Sequence, residues 1–310
     1  SLHRDHEAIR PLVAILGGPS PHNIRAAAEA LGRIGDVSVV SSLLDAAGRA
    51  SASDRILQHS ITYALIEIGD VKGTADGLGS TNVATRRAAL IALDQMDGGR
   101  LEPKRVASLL TANDPSLKQA ASWIVGRHPE WAEALADTFR ERLTKVETLS
   151  AVDRTELESQ LARFAGTEAI QSLLANRAED VSSPEVVRIS ALRAMALARP
   201  KDVPSAWVAS LASILASHRD GNLLKQVLTT ARALAISKEK GGSLSGRLLE
   251  LAQNMNLPSS LRLESLAAAP GGLSSVSPEL FKFLLKQLSR DQAAATRILA
   301  VDVLTRATLS

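Results

Sequence analysis

The feature that most constrains this chain is a short helical motif that keeps returning. Segments 24–32, 86–93, 118–126, 188–195 and 228–234 each place apolar residues three and four apart with alanines between them. Weaker copies lie at 59–65, 157–164, 263–269 and 298–304. Arg25, His59, Arg87, Gln119, Leu157, Ile189, Leu228, Leu263 and Ile298 mark equivalent positions, separated by 28 to 39 residues. That spacing is helical within each copy and hairpin-sized between copies. Ahead of the copies lie other helix-like segments, among them 9–16, 39–44, 106–110 and 244–251. Turn residues separate them, as at Gly98-Gly99, Asn113-Asp114-Pro115, Ser182-Ser183-Pro184, Gly241-Gly242 and Gly271-Gly272. Ser53 or Asp54, Asn82, Asp114 and Ser183 are placed to cap the second helix of a hairpin.

A hairpin of about 35 residues cannot bury its Leu/Ala face alone, so each copy must stack on its neighbours. The expected fold is therefore all-α, an α-solenoid of about nine HEAT-like helical hairpins in one domain spanning residues 1–310. Segment 137–180 is the least regular, and Arg140-Glu141-Arg142-Leu143-Thr144-Lys145 reads as a charged helix end; an irregular joint or ordinary drift within a repeat both fit. Only 3% of the 310 residues are aromatic against 45% hydrophobic, which suits two-helix layers with no deep centre for large rings.

Composition removes several chemistries. With no Cys, a disulfide scaffold, thiolate zinc, an iron–sulfur cluster and a catalytic thiol are all excluded. No stretch approaches the ~20 apolar residues of a membrane span. A formal charge of +3 is sparse for a nucleic-acid binder. No Walker loop, G-x-S-x-G elbow, H-E-x-x-H or calcium loop occurs, so no cofactor is expected. The chain opens on Ser1 rather than Met and stops after an amphipathic stretch, and is read as a piece of a longer chain or a mature product. The expected state is monomeric, with a protein or a neighbouring domain as partner.

The run Arg25-Ala26-Ala27-Ala28-Glu29-Ala30-Leu31-Gly32-Arg33-Ile34-Gly35-Asp36 resembles the HEAT-like repeats named after phycobilin lyases. Segments 58–68, 86–96 and Trp123-Ile124-Val125-Gly126-Arg127-His128-Pro129-Glu130-Trp131 resemble the helical-repeat region of large bacterial membrane-bound dehydrogenase proteins. In that family a propeller precedes the repeats and a c-type haem domain follows. The resemblance implies an extracytoplasmic location. It transfers neither redox activity nor haem, because these residues contain no Cys and no strand-rich propeller.

Four groups of residues invite a functional reading. His3 and His6 form an H-x-x-H pair, but no third metal ligand accompanies them. His59 and Tyr63 lie four apart on one expected helix, next to Gln58. Trp123, His128 and Trp131 gather at a helix corner, where aromatic rings beside a basic residue suit a partner contact. Arg86, Lys118, Arg188, Arg262 and Arg297 recur at the starts of second helices. Each has a plainer reading as packing, or as a polar ladder paired with Asp114, Asn82 or turn carbonyls. The expected function is a non-catalytic scaffold whose concave second-helix surface docks a partner. The alternative is a DNA-processing enzyme similar to the HEAT-like alkylpurine DNA glycosylases, using Trp123 or Trp131 and a nearby carboxylate.

Overall fold

The computed structural model describes residues 5–51, 53–217 and 221–308. Its regular structure is entirely helical, and by chain contacts it divides into two compact units, Ser1–Trp131 and Ala132–Ser310. The first contains α1 (Ile9–Leu16), α2 (Pro21–Ile34), α3 (Val40–Arg49), α4 (Arg55–Ile68), α5 (Val71–Asp76), α6 (Val83–Gln95), α7 (Pro103–Ser108) and α8 (Pro115–Val125). These are four consecutive hairpins. The second contains five: α9 (Ala132–Thr144), α10 (Ala151–Phe164), α11 (Glu168–Glu179), α12 (Glu185–Ala198), α13 (Ser205–Ser217), α14 (Gly221–Ala233), α15 (Lys238–Gln253), α16 (Ser259–Ala267), α17 (Pro278–Gln287) and α18 (Ala294–Thr305). All nine sequence copies fall on the even-numbered helices, the B helices of their hairpins.

Packing follows the repeat. In the first unit α2 packs on α4, α4 on α6 and α6 on α8; in the second, α10, α12, α14, α16 and α18 form the same succession. The odd-numbered A helices form a parallel layer: α1 on α3 and α3 on α5, then α9 on α11, α11 on α13 and α13 on α15. Each unit is thus an α-solenoid of HEAT-like hairpins sharing a core across repeats. Small residues set the approach of the B helices. A Cβ on Gly32 would lie 2.9 Å from the Ala64 Cα, so α2 can meet α4 this closely only with glycine there.

Hydrogen bonds one repeat apart stitch the layers. Thr85 donates to the Leu44 carbonyl (3.1 Å), Thr230 to Leu192 (3.0 Å), Ser210 to Ala175 (3.3 Å) and the Trp207 indole to Gln171 (3.0 Å). These donors are buried, so each bond satisfies a group that water cannot reach.

Three expected caps form. The Asp54 carboxylate accepts from the Leu57 amide, Asn82 from Ala84 and Thr85, and Asp114 from Ser116 and Leu117. The fourth does not. Pro184 occupies the N-cap of α12, and the Ser183 hydroxyl donates instead to Asp180 (2.7 Å). Three donors from Ser182 and Ser183 hold the Asp180 carboxyl at a pKa of about 2. Gly241 and Gly242 mark a break, as expected: within α15, Gly242 adopts φ 44° and interrupts the helical path ahead of the helix over 244–251.

Segment 137–180 runs from within α9 through α10 to the end of α11, and its largely apolar core also buries Arg142, Glu158 and Gln160. Arg142, read from sequence as part of a charged helix end, is buried and donates to Gln160 Oε1 at 2.6 Å. The Phe139 and Phe164 rings close the apolar side at 5.2 Å between centroids.

Candidate functional site

The B helices of the first unit carry a row of side chains that the core does not use. On α4, Gln58, His59, Thr62 and Tyr63 occupy one face. On α6 it is Arg87 and, one turn on, Ile91; on α8 it is Gln119 and, one turn on, Trp123. Because α4, α6 and α8 pack in succession, these pairs fall side by side. Arg55, Gln58, Thr62, Arg87, Asp114 and Gln119 line a cavity of about 520 Å³ along them. A smaller cavity of about 260 Å³ adjoins it, walled by Arg55, Gln58, His59, Thr62, Arg87 and Ile91. The Arg87 guanidinium donates to Gln58 Oε1 (3.0 Å), which fixes a cation in the groove floor. Burial and the nearby Arg55 charge lower the Arg87 pKa, but an arginine stays charged at neutral pH.

The aromatic rings of this row are the least covered. Tyr63 is 49% exposed and Trp123 45% exposed, whereas Trp207, Phe139 and Phe164 are buried. His59 stacks loosely beside Tyr63 at 6.3 Å, and the Arg127 guanidinium sits 4.6 Å from the Trp123 ring centre.

His128 and Trp131 lie in a different setting. The structure pins His128 from three sides. Its Nε2 meets Asp94 Oδ1 at 2.7 Å, its Nδ1 meets Glu130 Oε1 at 2.5 Å, and Trp131 lies flat on its ring at 4.0 Å and 8°. Burial alone would lower the His128 pKa, but hydrogen bonds to Glu130 and Asp94, with the pull of their charge, hold it above its ordinary value. With both nitrogens facing carboxylates, the imidazolium is the favoured form. Such a ring ties the turn after α8 to α6, and neither nitrogen is left to act as a base. Asp94 has a fully buried carboxylate and was not singled out from sequence, although its separation from His128 is one repeat. Glu130 is His128's second partner.

The basic ladder divides. Arg188 donates from Nε to the Ala178 carbonyl (2.9 Å), and Arg262 does the same to Ala252 (2.8 Å) while lying over the Phe283 ring. Both are buried and close the end of the preceding A helix. Arg86 makes no such bond and lines a cavity on the other side of α6. Asp114 and Asn82, the expected ladder partners, are occupied as helix caps.

His3 lies outside the described residues, and His6 meets Asp36 at 3.3 Å. Among the described residues no group of three His, Asp or Glu side chains could hold a metal ion, and no helix is long and apolar enough to cross a membrane.

No protein family model matches the chain, and no curated protein matches it. Among solved structures it is similar to a chain in one described as showing that Kap95p binding induces the switch loops of RanGDP to adopt the GTP-bound conformation. The TM-score is 0.37 and the identity 12%, over 97% of this chain and 52% of that one. The chain thus spans about half the length of that relative, and a superposition this loose assigns no function.

Proposed function

We propose that this chain is a non-catalytic helical-repeat module that docks a partner protein, or a neighbouring domain of a longer chain, on the B-helix face of α4, α6 and α8. The observation that carries the reading is the exposure of Tyr63 and Trp123 on that face, the barest aromatic side chains among the described residues, in a chain where aromatic residues are scarce and Trp207, Phe139 and Phe164 are buried. Half-bare rings beside cations suit an interface anchor, because they desolvate large area at low entropy cost. Arg55 and Arg87 give the groove a positive floor, which favours an acidic segment of the partner. The resemblance to repeat regions of multidomain dehydrogenase proteins supports a neighbouring domain as the occupant.

The test is site-specific photo-crosslinking from positions 59 and 119, exposed neighbours of the two rings, with exposed Val152 as control. A discrete adduct from the first two positions, lost in the double variant Tyr63→Ala/Trp123→Ala, is expected. Uniform labelling from all three would refute the reading. The alternative of a DNA-processing enzyme predicts duplex binding that weakens steeply with salt. Such binding, abolished by Trp123→Ala, would replace the docking proposal.

A further inference from the structure

The A helices of the third and fourth hairpins are short. α5 and α7 have six residues each, whereas the B helix α6 beside them has thirteen. Each short helix ends in a 3-10 turn, Gly77–Gly79 after α5 and Leu109–Thr111 after α7. Six residues cannot cover thirteen, and a cavity of about 400 Å³ opens against α6 on the side away from the docking row. Its apolar wall includes Leu78, Leu90 and Leu101. Three cations line it too: Arg86 from α6, Arg100 from the following loop and Arg105 from α7.

Two observations give this cavity a ligand class. First, none of the three guanidinium groups has a hydrogen-bond or ion-pair partner among the described residues, although Glu102 also lines the cavity. Three positive charges against one carboxylate leave the lining net positive. Second, Arg86 holds the ladder position at which Arg188 and Arg262 fold down onto a main-chain carbonyl. Here that structural use is absent, and the side chain faces open space instead. An apolar wall with cationic groups beside it matches a molecule with a greasy body and an anionic head, and the volume lies in the range of small-molecule sites.

We propose that this cavity binds a free amphipathic organic anion, a carboxylate or phosphate monoester on an alkyl or aryl body, with Arg86 and Arg105 on its head. The site does not depend on the docking row and uses none of its residues.

Isothermal titration calorimetry on the whole chain, with monomeric dodecanoate and dodecyl phosphate as probes, tests this. Saturable one-site binding with Kd near or below about 100 μM is expected. Arg86→Gln/Arg105→Gln should weaken it about tenfold or more, and Ala75→Phe, which fills the cavity from the α5 residue that also lines it, should abolish it. Arg290→Gln, at an exposed position in the second unit, should leave it unchanged. Dodecanol and inorganic phosphate should each bind at least about tenfold more weakly, since each supplies half of the match. The chain should stay in solution when phosphatidylglycerol vesicles are sedimented. Absence of dodecanoate binding, equal binding of dodecanol, or affinity unmoved by the double arginine variant would overturn the proposal. Co-sedimentation with the vesicles would too, because the ligand would then be a membrane surface. Circular dichroism matched to the parent excludes unfolding as the cause of any loss.

Discussion

Two B-helix seams, built on the same geometry, differ in whether they bury a carboxylate. Between α2 and α4 the contact is mainly small and apolar: Ala28, Leu31, Gly32, Ile61, Ala64 and Leu65 are all buried, and Ser60 donates across the seam to the half-exposed Glu29 (3.2 Å). Between α10 and α12 the equivalent layer holds Glu158 and Ser190 beside Leu161 and Ala191, with Gln160 turned toward the buried Arg142. The first seam is held by close contact and exclusion of water. The second keeps the same helix pairing with the Glu158 carboxyl and the Ser190 hydroxyl buried inside it. A solenoid tolerates this exchange because each hairpin answers only to its neighbours, so a polar layer in one repeat leaves the next unaffected.

The comparison breaks most visibly by truncating the apolar seam. Ile61→Ala should cost about 2–5 kcal/mol in urea unfolding, since a fully buried side chain leaves a cavity its neighbours cannot fill. Gln160→Leu, where α10 meets α9 beside the polar seam, should cost somewhat less, about 1.5–3 kcal/mol, by leaving the buried Arg142 guanidinium without that acceptor. An equal loss from Gln160→Leu in a variant already lacking Arg142 would show that the bond contributes nothing.

Two buried carboxylates sharpen the contrast through pH. Asp94 faces His128 at 2.7 Å, while the cation nearest Glu158, Arg193, is at 3.8 Å. Raised above its ordinary 4.5 by burial, Glu158 keeps its proton in the fold after the unfolded chain has lost it. Its contribution is therefore complete below about 4.5 and falls as pH rises through the folded value. Glu158→Gln should raise the thermal midpoint at pH 7, a gain of up to about 1 kcal/mol, and the gain should vanish near pH 4. His128 is also raised, from 6.5, by its carboxylate partners. Its stabilisation is complete below about 6.5 and is lost as pH climbs through the folded value. His128→Gln should cost about 1–2 kcal/mol at pH 6 and progressively less at higher pH. A pH-independent loss would mean that the stacking on Trp131, and not charge, holds the turn.

The smallest effect belongs to the surface row. Tyr63→Ala and Trp123→Ala should each shift stability by no more than about 1 kcal/mol, the loss of Arg127 stacking included, because neither ring belongs to the core. A larger shift in the melting midpoint would assign them to packing and remove the main support for docking.

How far the sequence revealed this molecule follows from what periodicity encodes. The B helices were legible because their Ala and Leu positions repeat at 3.6 residues and must face a neighbour of the same kind. Asn82 and Asp114 were legible as caps because capping is local. Arg142 was not, since a charged residue amid charged neighbours gives no sign that a partner eighteen positions away will bury it. The Asp94–His128 bond left a faint trace, a spacing of one repeat, that only the stacking makes meaningful. Arg100 and Arg105 gave none. Their shared cavity arises from the shortness of α5 and α7, which Gly73 and Gly77 accompany but do not announce.

The most direct test concerns the claim that hairpins hold one another up. Residues 71–95, covering α5 and α6 as one hairpin, should be prepared alone and measured by far-ultraviolet circular dichroism. The account predicts a coil spectrum with no cooperative melt, because the faces that bury Ala89, Ala92 and Leu93 in the chain are supplied by α3, α4 and α8. A helical spectrum with a sharp thermal transition would contradict it.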